Sequence, residues 1–386
     1  MELRQGPVED LVTPGQPFGG TFSGTRVLVT GHTGFKGAWL TEWLLQLGAR
    51  VGGFSLNVPT RPALSESLDW GGRIQEWTGD ICDRTAIQKA ILEFQPAFIF
   101  HLAAQPLVRT SYAEPVATFQ TNVIGTLQVL DAARSLTSPC TILGITTDKC
   151  YENREWLHGY RESDPLGGHD PYSASKAAAE IAIASFRSSF LSRGPVRLAS
   201  ARAGNVIGGG DWALDRIVPD AMRALSSGRE IEVRNPAAIR PWQHVLEPLG
   251  GYLWLAALLA RDNANPASPL GSAFNFGPAV DSQRTVRDLV ETMLQFWPGQ
   301  WRDASNPNAV HEAGRLQLSI DKAHALLGWK PVWDFKQTLA ATVSWYREHA
   351  TGSDSNSVQN LTRRQISEYV TAATQAGLPW AKGTLP

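Results

Sequence analysis

Short apolar runs rich in β-branched residues recur along the first two hundred positions. Between them lie longer stretches in which apolar residues return every three or four places. Arg26–Thr30 (RVLVT), Arg50–Ser55, Ala97–Leu102, Thr141–Thr146 and Arg197–Ala201 have the length and composition of buried strands. Gly37–Leu47, Asp83–Phe94 and Thr118–Arg134 have helical spacing. Regular alternation of the two predicts parallel βαβ units with right-handed crossovers, and hence an α/β fold with a doubly wound, Rossmann-type parallel sheet. Beyond about residue 205 the alternation degrades into loops rich in Gly, Pro and Trp with isolated helices, which predicts a second, smaller lobe. The resulting division is a flexible leader over 1–24 and a dinucleotide-binding domain over 25–204 with a returning segment near 237–278. The smaller lobe with the C-terminal helices then spans 205–386. A second flexible stretch is expected at 351–358 (TGSDSNSV).

Composition narrows the class. Hydrophobic residues make up 43% of the chain and charged residues 18%, the balance of a sequence that folds by itself. Lys plus Arg (35) nearly cancels Asp plus Glu (36), so the chain lacks the basic excess of a nucleic-acid binder. The longest uncharged apolar run, Pro248–Ala260, is short of the ~18 residues of a membrane span and reads as a buried helix between Glu247 and Arg261. The N-terminal stretch has no apolar core of a secretory signal. Cys82, Cys140 and Cys150 are too few and too scattered for a disulfide framework, and no His or Cys spacing suggests a metal site. These features predict a cytoplasmic protein with neither membrane nor metal partners.

The first predicted strand runs into Gly31-His-Thr-Gly34-Phe-Lys-Gly37 and then a helix. Gly31 suits the tight turn, Gly34 a close approach of backbone to a pyrophosphate, and Gly37 close packing of helix on strand, with the helix N-terminus offering N–H groups to the phosphates. The second strand ends in Phe54-Ser55-Leu56-Asn57, which holds neither the acid that favours NAD nor the Arg that favours NADP; Arg61 follows and leaves the 2′ question open. Asp80, just after Gly79, suits an adenine amino group, whereas Asp83 suits the cap of the following helix.

Tyr172 and Lys176 lie four apart on a helix that Pro171 opens, so they share one face. A lysine there is expected to lower the tyrosine pKa and to hold a cofactor ribose through its ammonium. The phenolate then accepts a proton from a substrate hydroxyl. Thr147, Asp148 and Lys149 follow the strand Thr141–Thr146, at the strand end where open parallel sheets place their chemistry.

GHTGFKG, HLAAQPLVRTSYAEP (His101–Pro115), Asn122, TTDKCYEN (Thr146–Asn153), YSASK and RAGNVIGGGDW (Arg202–Trp212) together resemble the extended short-chain dehydrogenase/reductase superfamily. Within it they are most similar to the CDP-glucose 4,6-dehydratases, over roughly residues 25–350. The resemblance implies an NAD cofactor held by Gly31, Thr33, Gly34, Phe35, Lys36, Gly37, Asp80, Ile81, Leu102, Ala103, Ala104, Asn122, Tyr172 and Lys176. It implies a nucleotide-sugar substrate held by Gln105, Arg109, Asn205, Asp211, Trp212, Arg216 and Arg240. The last of these has the guanidinium fork that suits a phosphate.

Catalysis is implied for Thr147, Asp148, Lys149, Tyr172 and Lys176. In this family C4 of the sugar is oxidised, water is lost across C5 and C6, and the hydrogen returns to C6. Asp148 is the expected acid, with a pKa raised by burial or hydrogen bonding. Lys149 is the expected base, with a pKa depressed by burial against apolar neighbours. Related dTDP-glucose enzymes carry Asp-Glu where this chain has Asp148-Lys149. An epimerase, a dehydratase for another nucleotide sugar and a non-catalytic dinucleotide-binding protein remain the alternatives. Helices resembling those that pair in the superfamily, Thr118–Arg134 and Pro171–Phe190, imply a homodimer or higher homo-oligomer.

Overall fold

Seven strands form one parallel sheet in a computed structural model that describes residues 15–191, 194–262, 268–279, 282–305, 316–352 and 355–384. They are β1 (Arg26–Thr30), β2 (Arg50–Ser55), β3 (Ile74–Thr78), β4 (Phe98–His101), β5 (Cys140–Ile145), β6 (Val196–Ala203) and a seventh, Ala273–Phe276. Their spatial order is β3-β2-β1-β4-β5-β6 and then the seventh strand, every neighbouring pair parallel. The order reverses between β1 and β4, and at such a switch point the crevice beyond the strand ends accepts a ligand.

Alternation along each strand assigns its side chains to two layers. Val27, Val29, Phe98, Phe100 and Leu143 face one layer, covered by α1 (Phe35–Gln46) and the helix Leu246–Arg261. Leu28, Ile99, Ile142 and Leu198 face the other, covered by the helices Arg84–Phe94, Thr126–Ala133 and Pro171–Ser189. Each such buried aliphatic side chain contributes roughly 1.5–3 kcal/mol, so the apolar runs read from the sequence are the two faces of this sheet.

Several expectations change. Ile74–Thr78 was not predicted, because an edge strand paired only with β2 leaves Gln75, Glu76 and Thr78 exposed and shows no apolar run. The predicted helix Thr118–Arg134 is interrupted: Pro115–Phe119 and Thr126–Ala133 flank a π turn at Gln120–Gly125. Of the expected flexible leader, residues 1–14 lie outside the described residues, but 15–24 are anchored. Phe18 is fully buried and stacks on Trp380 at 5.0 Å, and Phe22 sits against Phe98 at 5.1 Å. Of the second stretch expected to be flexible, residues 353–354 lie outside the described residues, and from Ser355 the chain is the helix Ser355–Gln375, where Val358 and Leu361 are buried. That helix is pinned to α1 by Arg363, 2.6 Å from the fully buried Glu42.

Three two-stranded pairs follow β6: Val206–Ile207 with Gln243–His244, Ile239–Pro241 with Gln283–Thr285, and Ile231–Val233 with Trp301–Asp303. From this part of the chain Arg216 faces Tyr172 and Arg240 faces Asp148, which follows the end of β5, while Arg234 pairs with Asp215.

Candidate active site

The glycine turn is built for close approach. Gly31 has φ +75°, and a Cβ there would lie 2.7 Å from the Ala103 backbone nitrogen; one at Gly37 would lie 2.0 Å from the Gly31 carbonyl oxygen. A Cβ on Gly34 would meet only the turn's own Gly31 carbonyl, and no side chain caps the α1 N-terminus that begins there. The open space and uncapped N–H groups fit a dinucleotide pyrophosphate. His32, which sequence reasoning missed, braces the turn. Its Nδ1 bonds Ser55 Oγ and its Nε2 bonds Glu76 Oε1, both at 2.8 Å, while Ser55 Oγ accepts from the Thr33 N–H at 3.3 Å.

Leu102 and Ala103 are held to β1, their N–H groups donating to Thr30. His101 bonds Thr30 and Thr126, and burial pushes its pKa down to about 3, so it serves as a neutral strut. Asp80 accepts from the Cys82 N–H at 2.8 Å at the end of β3, Asp83 caps the next helix through Thr85 and Ala86, and Ile81 packs under the π turn. Arg61 is exposed and lies 3.5 Å from Glu66.

Beyond β5 the chain turns at Thr147, whose hydroxyl donates to Asp148 Oδ1 at 3.0 Å and faces the Tyr172 phenol. Asp148 is buried, and its Oδ2 has no partner. A Cβ at Gly204 would lie 2.6 Å from that oxygen, so the glycine of the RAGN segment makes room for the acid. Burial raises the Asp148 pKa, against the pull of Lys149, Thr147, Lys36 and Arg240, as a proton donor near neutral pH requires.

Tyr172 departs from expectation. Burial pushes its phenol up to about 12, and the groups that oppose this are the Thr147 hydroxyl and the Arg216 guanidinium. The lysine four residues on directs its Nζ to the Ile145 carbonyl at 3.3 Å. Lys149 is half-buried rather than enclosed by apolar neighbours. Lys36, from the glycine turn, also faces this cluster: burial, with Arg216 behind it, lowers its pKa to about 8.

The remaining predicted residues divide. Asn122 is buried and accepts from the Gln105 N–H at 2.8 Å while donating to Ser175 on the helix Pro171–Ser189 at 2.9 Å, so it ties the loop after β4 to that helix. The Gln105 side chain is engaged by Leu107 and Thr118. Arg109 reaches across the cleft to Asp215 at 2.9 Å, and Arg216 holds Asp211 at 2.8 Å. Trp212 packs edge-on against Tyr346 at 5.2 Å, the Asn205 carbonyl accepts from the Gln243 N–H, and Arg240 faces Asp148. Among the described residues, no cluster of three or more His, Cys, Asp or Glu can hold a metal, and no helix is long and apolar enough to cross a membrane.

The strand order, the glycine turn at the switch point and the Tyr–Lys helix beside it define a Rossmann-type protein of the extended short-chain dehydrogenase/reductase class. Comparison with known proteins carries this further. The GDP-mannose 4,6-dehydratase family matches residues 28–342, and the chain belongs to that family. It is 44% identical to the CDP-glucose 4,6-dehydratase of Salmonella typhimurium, over 92% of this chain and 98% of that protein. Among solved structures it is similar to the Thermus thermophilus UDP-glucose 4-epimerase in complex with NAD, with a TM-score of 0.70 and 25% identity over 83% of this chain and 99% of that one. A dTDP-glucose 4,6-dehydratase from Streptomyces venezuelae shares the fold at a TM-score of 0.71 and 23% identity, over 84% of this chain and 98% of that one.

Proposed function

We propose that this protein is an NAD-dependent hydro-lyase that converts CDP-glucose to CDP-4-keto-6-deoxyglucose. The observation that carries the reading is the pairing of the buried Asp148 carboxyl, whose Oδ2 has no hydrogen-bond partner among the described residues, with Tyr172 across the Thr147 hydroxyl. An epimerase needs only the tyrosine's proton transfer, whereas dehydration needs a second acid beside it. The choice of CDP-glucose rests on the whole-length similarity to the Salmonella enzyme.

NAD, when bound, would supply the hydride acceptor for C4 and the hydride donor for C6. The chain's own residues do the rest. Gly34 and the uncapped α1 N-terminus would leave room for the pyrophosphate while Gly31 and Gly37 keep the turn tight against backbone, Asp80 and Ile81 would flank the adenine, and Lys176 would donate to the ribose. Tyr172 takes the proton of the 4-hydroxyl while Thr147 holds that oxygen. Lys149 removes the proton at C5, and Asp148 delivers one to the departing 6-hydroxyl. Arg216 and Arg240 hold the diphosphate, with Arg109 at the rim of the same cleft. Residues 25–204, with the segment near 237–278 returning to the sheet, form the NAD domain; within 205–386 the smaller lobe closes over the sugar nucleotide, while the helix Ser355–Gln375 packs back on α1.

The deciding experiment uses CDP-glucose deuterated at C4, with dTDP-, UDP- and GDP-glucose as competitors. A product lighter by one water with deuterium at C6 supports the reading. An isomer of unchanged mass would make the protein an epimerase, and preference for another nucleotide would move the substrate.

The same proposal includes a homodimer in the cytoplasm. Tyr112, Val116, Phe119, Ile124 and Ile181 expose apolar side chains on the helices around the π turn and on the catalytic helix. Ile181→Glu is expected to convert a dimer to monomer in light scattering, and a wild-type monomer would refute the assembly.

A further inference from the structure

Behind the catalytic helix, one turn beyond Lys176, lies an ion pair that neither binds nor reacts in the mechanism above. Glu180 and Arg202 are 3% and 4% exposed and meet at 2.9 Å. The carboxylate is fully engaged. Oε1 accepts from the Thr146 hydroxyl at 2.5 Å, and Oε2 accepts from the Ser200 hydroxyl at 2.8 Å as well as from Arg202. The other arm of Arg202 donates to the Tyr151 hydroxyl at 2.8 Å, which donates in turn to Asn275 Oδ1 at 2.7 Å on the seventh strand. Thr146 immediately precedes Thr147, and Tyr151 immediately follows the turn Asp148–Cys150. The pair thus grips the catalytic turn at both ends and joins it to the helix that carries Tyr172 and Lys176.

We propose that Glu180 and Arg202 are positioning residues for this reaction: together they lock the segment from Thr146 to Tyr151 against the catalytic helix, and Glu180, held in place by Arg202, supplies the counter-charge behind Lys176. The inference deepens the NAD-dependent reading and rests on Lys176 holding the cofactor ribose. A buried ion pair is weak evidence for stability, since its desolvation offsets most of its attraction, so its placement calls for another reason. Four titratable or charged groups act on Lys176: Glu180 on its own helix, Cys150 from the turn, His101 from β4 and Lys36 from α1. His101 is neutral near pH 7, and burial keeps the Cys150 thiol protonated. Glu180 carries the negative charge: burial opposes it, but Arg202 and the hydroxyl bonds outweigh burial and hold its carboxyl below the usual range. Burial alone drives Lys176 down, and with Glu180 opposing, its pKa stands at about 8. Cofactor affinity in the wild type is therefore expected to hold through pH 7 and to fall as pH rises through 8, where the ammonium loses its proton.

The test compares NAD affinity against pH, by titration of intrinsic tryptophan fluorescence, in wild type, Glu180→Gln/Arg202→Met and Glu180→Asp. The double variant removes both charges, because Glu180→Gln alone would leave Arg202 buried without its partner. It is expected to fold, to lose NAD affinity at a pH lower by about one unit, and to turn over more slowly. Glu180→Asp keeps the charge on a shorter arm, so it should restore the wild-type pH limb of NAD binding while kcat stays reduced. A double variant with the wild-type pH limb and kcat overturns the proposal, as does one that does not fold while Glu180→Asp behaves as wild type; either makes the pair a structural element only. NAD binding is measured without sugar nucleotide, so a wild type that binds NAD and ignores CDP-glucose would sink the substrate reading and leave this test standing.

Discussion

Tyr172→Phe is expected to cut the turnover of CDP-glucose about a thousand-fold, within the range that one positioned acid–base group contributes. Dinucleotide affinity should stay within a few-fold of wild type. The ring is buried at the start of the catalytic helix, and phenylalanine fills the same space, so the variant loses the hydroxyl and little else. With the phenol held up to about 12 by burial, the groups that draw its proton off decide the rate. Thr147 supplies a hydrogen bond and Arg216 a positive charge, and in Tyr172→Phe neither has a phenol to act on. Lys176→Met should differ in kind, weakening NAD binding as well as turnover, because one ammonium serves the ribose and the electrostatics of the pocket. Single-turnover measurement of C4 oxidation, read by mass after quenching, separates the two. Near wild-type oxidation by Tyr172→Phe would remove the phenol from the mechanism.

Much of this centre was legible in the chain. The glycine turn could be read because its function needs backbone without Cβ at defined spacings, and Gly31 and Gly37 meet other backbone where side chains would clash. The Tyr172–Lys176 pair could be read because a helix repeats every 3.6 residues. What escaped the reading depends on contacts across long stretches of sequence. His32 braces the turn through Glu76, forty-four residues away and on an edge strand whose polar residues hid it. Arg202 was quoted as part of a motif, but its partner Glu180 lies on another element, and nothing local marks either as buried. Asn122 was legible as a motif position, but its contacts were not: it bonds the Gln105 backbone and Ser175, and the π turn that aims it does not register in a helical apolar pattern. Electrostatics were the least legible: the raised pKa of Asp148 was expected, but desolvation, which has no sequence signature, also sets the direction for Tyr172, Lys176 and Lys36.

Which lysine takes the C5 proton is the sharpest question that follows. A lysine base must be neutral when it acts, although its ordinary pKa is ~10.4. Lys149 follows the acid directly in sequence but is half-buried, while Lys36 reaches the same carboxyl from the glycine turn and is held down at about 8. Lys149→Met is expected to oxidise C4 normally and to lower water elimination about a thousand-fold, so the 4-keto sugar builds up without loss of mass 18 and C5 takes up little deuterium from solvent. Asp148→Asn should give the complementary defect. C5 exchanges, but the 6-hydroxyl leaves slowly, because an amide in place of the buried carboxyl has no acidic proton to deliver. Lys36→Met is the control that decides the assignment. With Lys149 as base it should weaken cofactor binding and leave C5 exchange in place once NAD is saturating. If Lys149→Met eliminated water at the wild-type rate while Lys36→Met blocked exchange at saturating NAD, the base would be the lysine of the glycine turn. Lys149 would then act only as the cation that steadies Asp148.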